Sequence, residues 1–322
     1  MKTILITGGA GFIGSHLADK LLNEGYYVVV ADNFCDYYDV SIKENNVAHN
    51  LNNPCYKLYR ADIEDMAALK AIFAAHNLSA VVHLAARAGV LPSISNPADY
   101  VKTNVLGTLN VLECMKESGC KKLVVASSSS VYGNCSAEKF SEDLNVNEPI
   151  SPYAATKLAT EQLCYTYHHL FGTQVAALRF FTVYGPRQRP DLAIAKFAQK
   201  ILQNESIEMY GDGSSLRDYT YIDDIVSGIV AALKYNNTDY EIINLGGGNP
   251  ITLKVMIQTL EECLGKKAII RQKPMQQGDV DKTVCDWQKA HRLLGYVPQV
   301  GFRQGLAQYA AWLKEVLKIK PI

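Results

Sequence analysis

The sequence predicts an α/β protein built on a doubly wound parallel sheet, with a smaller C-terminal region closing over the strand ends. Three observations carry this. Short apolar, β-branched runs recur along the first half: "TILITG", "YYVVVAD", "AVVHLA", "KKLVVASS" and "QVAALRFF". Segments with helical periodicity separate them, such as "FIGSHLADKLLNEG" and "NVLGTLNVLECMKESG". The runs do not alternate apolar with polar, so both faces of each strand are expected to be covered, as in sheets sandwiched between helices.

The first run, "KTILITG", passes directly into Gly8-Gly9-Ala10-Gly11-Phe12-Ile13-Gly14 and a helix. The spacing of Gly8, Gly11 and Gly14 serves a tight turn, close approach of the backbone to a pyrophosphate, and close packing of helix on strand. Glycines alone are a weak signal. The second run strengthens it by ending at Asp32-Asn33, roughly 20 residues on, where a carboxylate accepts from the 2′-hydroxyl of an adenosine ribose. A 2′-phosphate would be repelled there and no arginine follows, so the expected cofactor is NAD rather than NADP, in a Rossmann domain. Asp62 and Ile63 after "YKLYRA", and Leu84-Ala85-Ala86 after "AVVH", end two later strands and are expected to wall the adenine and pyrophosphate. Arg87 follows as a candidate to face a substrate, without a spacing argument behind it.

The run "KKLVVASSSSVYG" delivers four hydroxyls, Ser127 to Ser130, to the C-terminal end of a strand, where doubly wound folds bind ligands. Ser151-Pro152-Tyr153-Ala154-Ala155-Thr156-Lys157 then opens a helix, with Ser151 as N-cap and Pro152 at the first helical position. Tyr153 and Lys157 stand one turn apart on the same face. A phenol of pKa about 10 needs roughly 4 kcal/mol of help to act as a base near neutrality. An ammonium at about 4 Å supplies a similar amount at an effective dielectric of about 20. Lys157 is thus expected to make Tyr153 a usable base, and a serine beside it can relay or share the proton. Taken alone, the pair would suit a solvated helix face; the serines change the weighing.

The next run ends near Thr182 and meets "GPRQRPD", Gly185 to Asp191, where two prolines keep Arg187 and Arg189 out of a helix. Beyond it the rhythm loosens through "LAIAKFAQKILQN", "YGDGSSLRDYTYIDD", "IVSGIVAALKY", "EIINLGG", "LKVMIQTLEECLG", "KAIIRQ" and "FRQGLAQYAAWLKEVL". The expected division is a cofactor-binding domain over 1–184, with a later strand near 241–246 added to its sheet, and a smaller region over 185–322.

Lysine plus arginine and aspartate plus glutamate each number 32 in 322 residues, so no net field recruits nucleic acid or an anionic membrane. No run approaches the roughly 18 apolar residues of a membrane span, and no secretory leader is evident, so a cytoplasmic protein is expected. The eight cysteines show no Cys-x-x-Cys or Cys/His ligand spacing, which points to a reducing compartment and no metal. His83, His168 and His169 are expected to be structural.

These residues resemble the extended short-chain dehydrogenases/reductases, and among them the nucleotide-sugar 4-epimerases. The likeness spans the chain through the glycine motif, Asp32, "HLAA", "NVLGT", "SSSSVYG", Tyr-x-x-x-Lys, "GDGSSLRDYTYIDD" and "QGDVDKT". It implies a catalytic trio of Ser128, Tyr153 and Lys157 and a tightly held NAD, reduced and reoxidised within one turnover. It also implies that a 4-keto sugar rotates between the two hydride transfers. Arg217 and Asp279 match positions that hold the nucleotide diphosphate and its ribose, although Arg217 could instead be a salt partner of Asp218 or Asp223. Gln276 departs from the arginine common in relatives, which weakens one diphosphate contact. In relatives the helices matching "YVKTNVLGTLNVLECMK" and "YAATKLATEQLCYTYHHLF" pair into a homodimer interface.

Relatives that dehydrate the sugar resemble Thr-Asp-Glu before Val-Tyr-Gly, because elimination needs an added acid and base. Ser129 and Ser130 stand at those two acids, which disfavours dehydration. Decarboxylating relatives keep a glutamate at the place of Ser130. "TVYGPRQRPD" is similar to the UDP-glucuronate 4-epimerases, so Arg189 is expected to read the C6 carboxylate, with Ser128, Ser129, Ser130 and Thr182 helping to pin it. Arg187 is as readily a structural ion pair as a ligand contact. Thr283 leaves room beside the sugar, so UDP-glucose or UDP-N-acetylglucosamine stays open as substrate. A non-catalytic nucleotide sensor is the alternative from another class.

Overall fold

The computed structural model describes residues 1–274 and 280–319. Asp279 and Gln276 lie outside the described residues. The chain forms strands β1 (Thr3–Thr7), β2 (Tyr27–Asp32), β3 (Tyr56–Arg60), β4 (Ala80–His83), β5 (Lys122–Ser128) and β6 (Gln174–Phe180). Then follow β7 (Thr182–Tyr184), β8 (Ser206–Tyr210), β9 (Leu216–Tyr221), β10 (Tyr240–Leu245), β11 (Pro250–Thr252) and β12 (Ile269–Lys273).

Seven strands make one parallel sheet in the order β10-β6-β5-β4-β1-β2-β3. The two-residue period of a strand sorts its side chains onto two faces. Ile4, Ile6, Val28, Val30 and Val82 join one apolar core, while Leu5, Val29, Val81 and Val125 join the other. Helices Phe12–Asn23 and Ile222–Lys234 bury their apolar stripes on the first face; Met66–Ala75, Gly107–Ser118 and Pro152–Phe171 cover the second. Each fully buried aliphatic side chain contributes about 1.5–3 kcal/mol, so the sheet is a firm base for whatever its strand ends carry. The strand order reverses between β1 and β4, and the crevice there opens at the carboxyl ends of the strands.

The later part of the chain builds a three-stranded sheet, β11-β9-β7, and the parallel pair β12-β8. Asp218 ties β9 to the turn after β10 and to the segment around Cys285. Its buried carboxylate accepts from the backbone N–H groups of Gly247 (2.8 Å), Gly248 (2.8 Å) and Cys285 (2.9 Å), which offset the upward push of burial on its pKa. Sequence after 184 also returns to the large sheet, because β10 runs parallel beside β6 from Tyr240↔Val175 to Leu245↔Phe180. The helix expected over "NVLGTLNVLECMKESG" is not uniform: a π-helical turn, Val101–Leu106, precedes the α-helix Gly107–Ser118.

Candidate active site

A cavity of about 870 Å³ opens at the crevice and runs from the glycine loop to the end of β6. Its cofactor half is shaped by close backbone approach. A Cβ on Gly14 would sit 2.3 Å from the Gly8 carbonyl oxygen, and one on Gly8 would sit 2.7 Å from Ala85 N. Gly11 caps helix Phe12–Asn23 without any side-chain hydrogen bond, which leaves the first N–H groups facing the cavity mouth. Asp32, Asn33, Asp62, Ile63, Leu84, Ala85 and Ala86 all line the cavity with Phe12 and Ile13.

Asp32 is fixed by the N–H groups of Ala10 (3.1 Å) and Phe34 (2.9 Å), and Asn33 donates to Asp62 (2.8 Å). Lys43, a residue the sequence reading missed, is buried with its ammonium 3.4 Å from Asp32. Its distance of 11 residues from Asp32 offered no signal.

At the other end, helix Pro152–Phe171 starts where the sequence places it. Ser151 Oγ accepts from Ala154 N at 3.1 Å, and Pro152 takes the first position. Tyr153 and Lys157 point back to β5. The Ser128 hydroxyl acts on the Tyr153 phenol, favouring its phenolate, and accepts from Ser130 N at 3.1 Å. Lys157 Nζ donates to the Ala126 carbonyl at 2.8 Å.

The electrostatics differ from the sequence expectation. Burial raises the Tyr153 pKa, and the pulls in the other direction come from the Ser128 hydroxyl and the Arg189 charge, not from Lys157. Burial also brings Lys157 down to about 8. The expected Lys157-to-Tyr153 activation ignored this shared desolvation, which disfavours the charged form of both groups.

Ser129, Ser130 and Thr182 line both the main cavity and an adjoining one of about 120 Å³ that Arg217 and Thr283 also reach. None of the three hydroxyls bonds another described residue. Arg217 Nη1 donates to the carbonyls of Leu216 (2.9 Å) and Asp281 (3.4 Å), and the Asp218 carboxylate is taken up by backbone N–H groups instead.

The arginines of "GPRQRPD" meet protein carboxylates. Arg187, with φ +60°, donates to Asp19 at 2.8 Å and ties the loop to helix Phe12–Asn23. Arg189 forks onto Asp191, Nε to Oδ1 at 2.9 Å and Nη2 to Oδ2 at 2.6 Å. The sequence reading gave that fork wholly to a substrate acid. The Arg-Pro-Asp spacing places a carboxylate within reach of it first, leaving Nη1 without a partner among the described residues. Arg87 lines the cavity 3.7 Å from Asp99, and Asn104 in the π turn holds its backbone, accepting from Arg87 N (2.8 Å) and donating to Arg87 O (3.0 Å). His83 bridges Thr7 and Thr108, and burial keeps it neutral with a pKa of about 3.

The family model described as GDP-mannose 4,6 dehydratase matches residues 5–309. The chain belongs to this family. One member, the UDP-glucuronate 4-epimerase of Thermodesulfobacterium geofontis (strain OPF15), is 47% identical over 320 residues, 99% of this chain and 98% of the relative. The UDP-glucuronic acid 4-epimerase of Bacillus cereus, solved in complex with UDP-glucuronic acid and NAD, superposes with a TM-score of 0.92. It is 38% identical, with 98% of this chain and 99% of that one covered. The UDP-glucose 4-epimerase of Thermotoga maritima, solved with UDP-glucose, gives a TM-score of 0.90 at 35% identity, covering 98% and 99% of the two chains. The family is thus that of the extended short-chain dehydrogenases/reductases, as the motifs imply.

Proposed function

We propose that this protein epimerises C4 of UDP-glucuronate, interconverting it with UDP-galacturonate through a 4-keto sugar. The observation that carries the reading is the set of hydroxyls on Ser129, Ser130 and Thr182 that have no partner among the described residues, on the same cavity wall as Ser128 and Tyr153. The likeness to UDP-glucuronate 4-epimerases over the whole chain supports it.

NAD fits the cofactor half: Gly8, Gly11 and Gly14 leave room for a pyrophosphate, and Asp32 on the cavity wall would accept from the adenosine ribose. When bound, NAD supplies a reversible hydride acceptor. The protein's own part begins at Tyr153, which as the phenolate takes the 4-hydroxyl proton; the Ser128 hydroxyl and the Arg189 charge favour that phenolate against the opposing effect of burial. Lys157, held on Ala126 O, supplies positive charge beneath the reacting centre. Arg217, which lines the smaller cavity, would hold the nucleotide diphosphate, and by the resemblance Asp279 would take its ribose.

Oxidation at C4 makes the intermediate a β-keto acid, which loses carbon dioxide most easily when the C5–C6 bond stands perpendicular to the carbonyl plane. The three hydroxyls and Arg189 Nη1 hold the carboxylate away from that geometry. Dehydration would need an acid and a base at positions 129 and 130, and serine hydroxyls supply neither at neutral pH.

A second reading, epimerisation of UDP-glucose, draws on the Asp191 fork that occupies Arg189 and on the Thermotoga neighbour. The purified protein, without added NAD, should be incubated separately with UDP-glucuronate, UDP-glucose and UDP-N-acetylglucosamine. Turnover of the neutral sugars alone would overturn the first reading.

A homodimer is part of the proposal. Leu91, Ile94, Val101, Leu106 and Tyr165 are 40–52% exposed on the elements Val90–Ser95, Val101–Leu106 and Pro152–Phe171. Such an apolar surface suits a second copy. Light scattering should give twice the chain mass, and Leu106→Glu should halve it.

A further inference from the structure

Beneath the strand that carries Ser128 lies a buried ion pair that the reaction as described does not use. Glu161 stands two turns beyond Tyr153 on the same helix, in the series Tyr153, Lys157, Glu161. Its carboxylate receives both edges of the Arg179 guanidinium, Nε to Oε1 at 2.9 Å and Nη2 to Oε2 at 2.8 Å. Both side chains are nearly inaccessible, at 2% and 1% exposure for Arg179 and Glu161. Ser127, the residue before Ser128, donates to Glu161 Oε1 at 2.5 Å. Arg179 Nη1 reaches Tyr132 Oη at 3.0 Å, and that hydroxyl donates to Asn244 on β10 at 2.7 Å. One carboxylate therefore bonds side chains from β5 and β6, and the chain of bonds continues to β10.

A buried ion pair is weak evidence for stability, since apolar replacements are often as stable, so its value here has to be sought elsewhere. Two consequences follow from its position. Ser127 immediately precedes Ser128 at the end of β5, so holding Ser127 against Glu161 limits how far that strand end, and Ser128 with it, can shift relative to Tyr153. The charge matters as well. Besides burial, the groups acting on Lys157 are Cys164 and Glu161 from its own helix; His83 on β4 feels the Lys157 charge, Arg179 on β6 bonds Glu161, and Tyr153 lies one turn away. His83 is neutral, and burial pushes the Cys164 thiol up to about 12, so it too is uncharged. Glu161 is the carboxylate whose charge supports the Lys157 ammonium, and Arg179 balances that carboxylate.

We infer that the Glu161–Arg179 pair is a positioning device for the reaction proposed above: it fixes Ser127 and hence Ser128, and its opposite charges cancel at Lys157, so that neither buried charge acts alone on that ammonium. Glu161 and Arg179 touch neither sugar nor cofactor and act through these two residues. The inference rests on the reading of Lys157 and Ser128 as active-site groups.

The test uses the full chain with lysine labelled with ¹³C at Cε, the Lys157 signal being assigned through Lys157→Met. Its titration is followed by NMR in wild type, Glu161→Gln, Arg179→Met and the double variant. Glu161→Gln leaves an unbalanced buried cation, so the Lys157 midpoint should fall by about one pH unit. Arg179→Met leaves an unbalanced anion one turn away, so the midpoint should rise. The double variant should return close to wild type. The basic limb of kcat, measured with whichever UDP-sugar the wild type turns over, should move in the same two directions, with KM changed less than kcat.

A role limited to packing would lower thermal stability in both single variants and leave the midpoint and the basic limb in place; that result would overturn the inference. If one single variant does not fold, the other still has a signed outcome. The NMR midpoint does not depend on which sugar is the substrate, so a wrong substrate assignment and a wrong role for the pair give different results.

Discussion

Thr182→Val is the most incisive perturbation of the substrate site. Thr182 lies at the start of β7, backbone-registered against Tyr219, and its hydroxyl lines both cavities without a bond to any described residue. Valine keeps the shape and the β-branch, so the strand should be preserved. What is lost is one hydrogen bond to the C6 carboxylate, about 1.5–3 kcal/mol for a charged acceptor. At about 1.36 kcal/mol per tenfold, kcat/KM for UDP-glucuronate should fall roughly 10- to 150-fold. UDP-glucose, which carries no charge at C6, should lose much less. The carboxylate is also freer to reach the perpendicular geometry, so the ratio of carbon dioxide released to galacturonate formed should rise. Turnover would be followed by separating the nucleotide sugars chromatographically, with ¹⁴C at C6 to count carbon dioxide. Equal losses for the two sugars with no added carbon dioxide would refute the assignment of Thr182 to the acid.

Two further outcomes follow from the same geometry. Tyr153→Phe should lower kcat by about 10²- to 10⁴-fold, the usual worth of a positioned acid–base group, with KM nearly unchanged in steady-state kinetics. Gly14→Ala would place a methyl 2.3 Å from Gly8 O, forcing the turn open; absorbance and extraction of the purified protein should show loss of bound NAD, while circular dichroism shows the fold retained.

Local signals were legible in the sequence, and long-range ones were not. The glycine turn, the Ser151-Pro152 cap and the Tyr153/Lys157 spacing each depend on a few neighbouring residues, and each stands in the structure as those neighbours require. The parallel sheet was legible because every strand is covered on both faces, which leaves continuous apolar runs. By contrast, Arg187 and Asp19 are separated by 168 residues, and nothing local announces their bond. Arg189 and Asp191 are two apart, and the Arg-Pro-Asp spacing could have revealed that the guanidinium has a partner of its own. Glu161 could have been found as the next step in the series begun by Tyr153 and Lys157. The Tyr153 pKa failed for a different reason: pair arithmetic at one dielectric omits the cost of burying both partners, and only the fold shows that burial.

The central claim is that C4 is oxidised and reduced within one enclosed site, with the carboxylate held throughout. Epimerisation of UDP-glucuronate in deuterium oxide, with the product's C4 and C5 examined by NMR, tests it most directly. The account predicts UDP-galacturonate with the original hydrogen at both carbons, because the hydride never meets solvent and C5 is never deprotonated. Deuterium at C4 or C5 would contradict it.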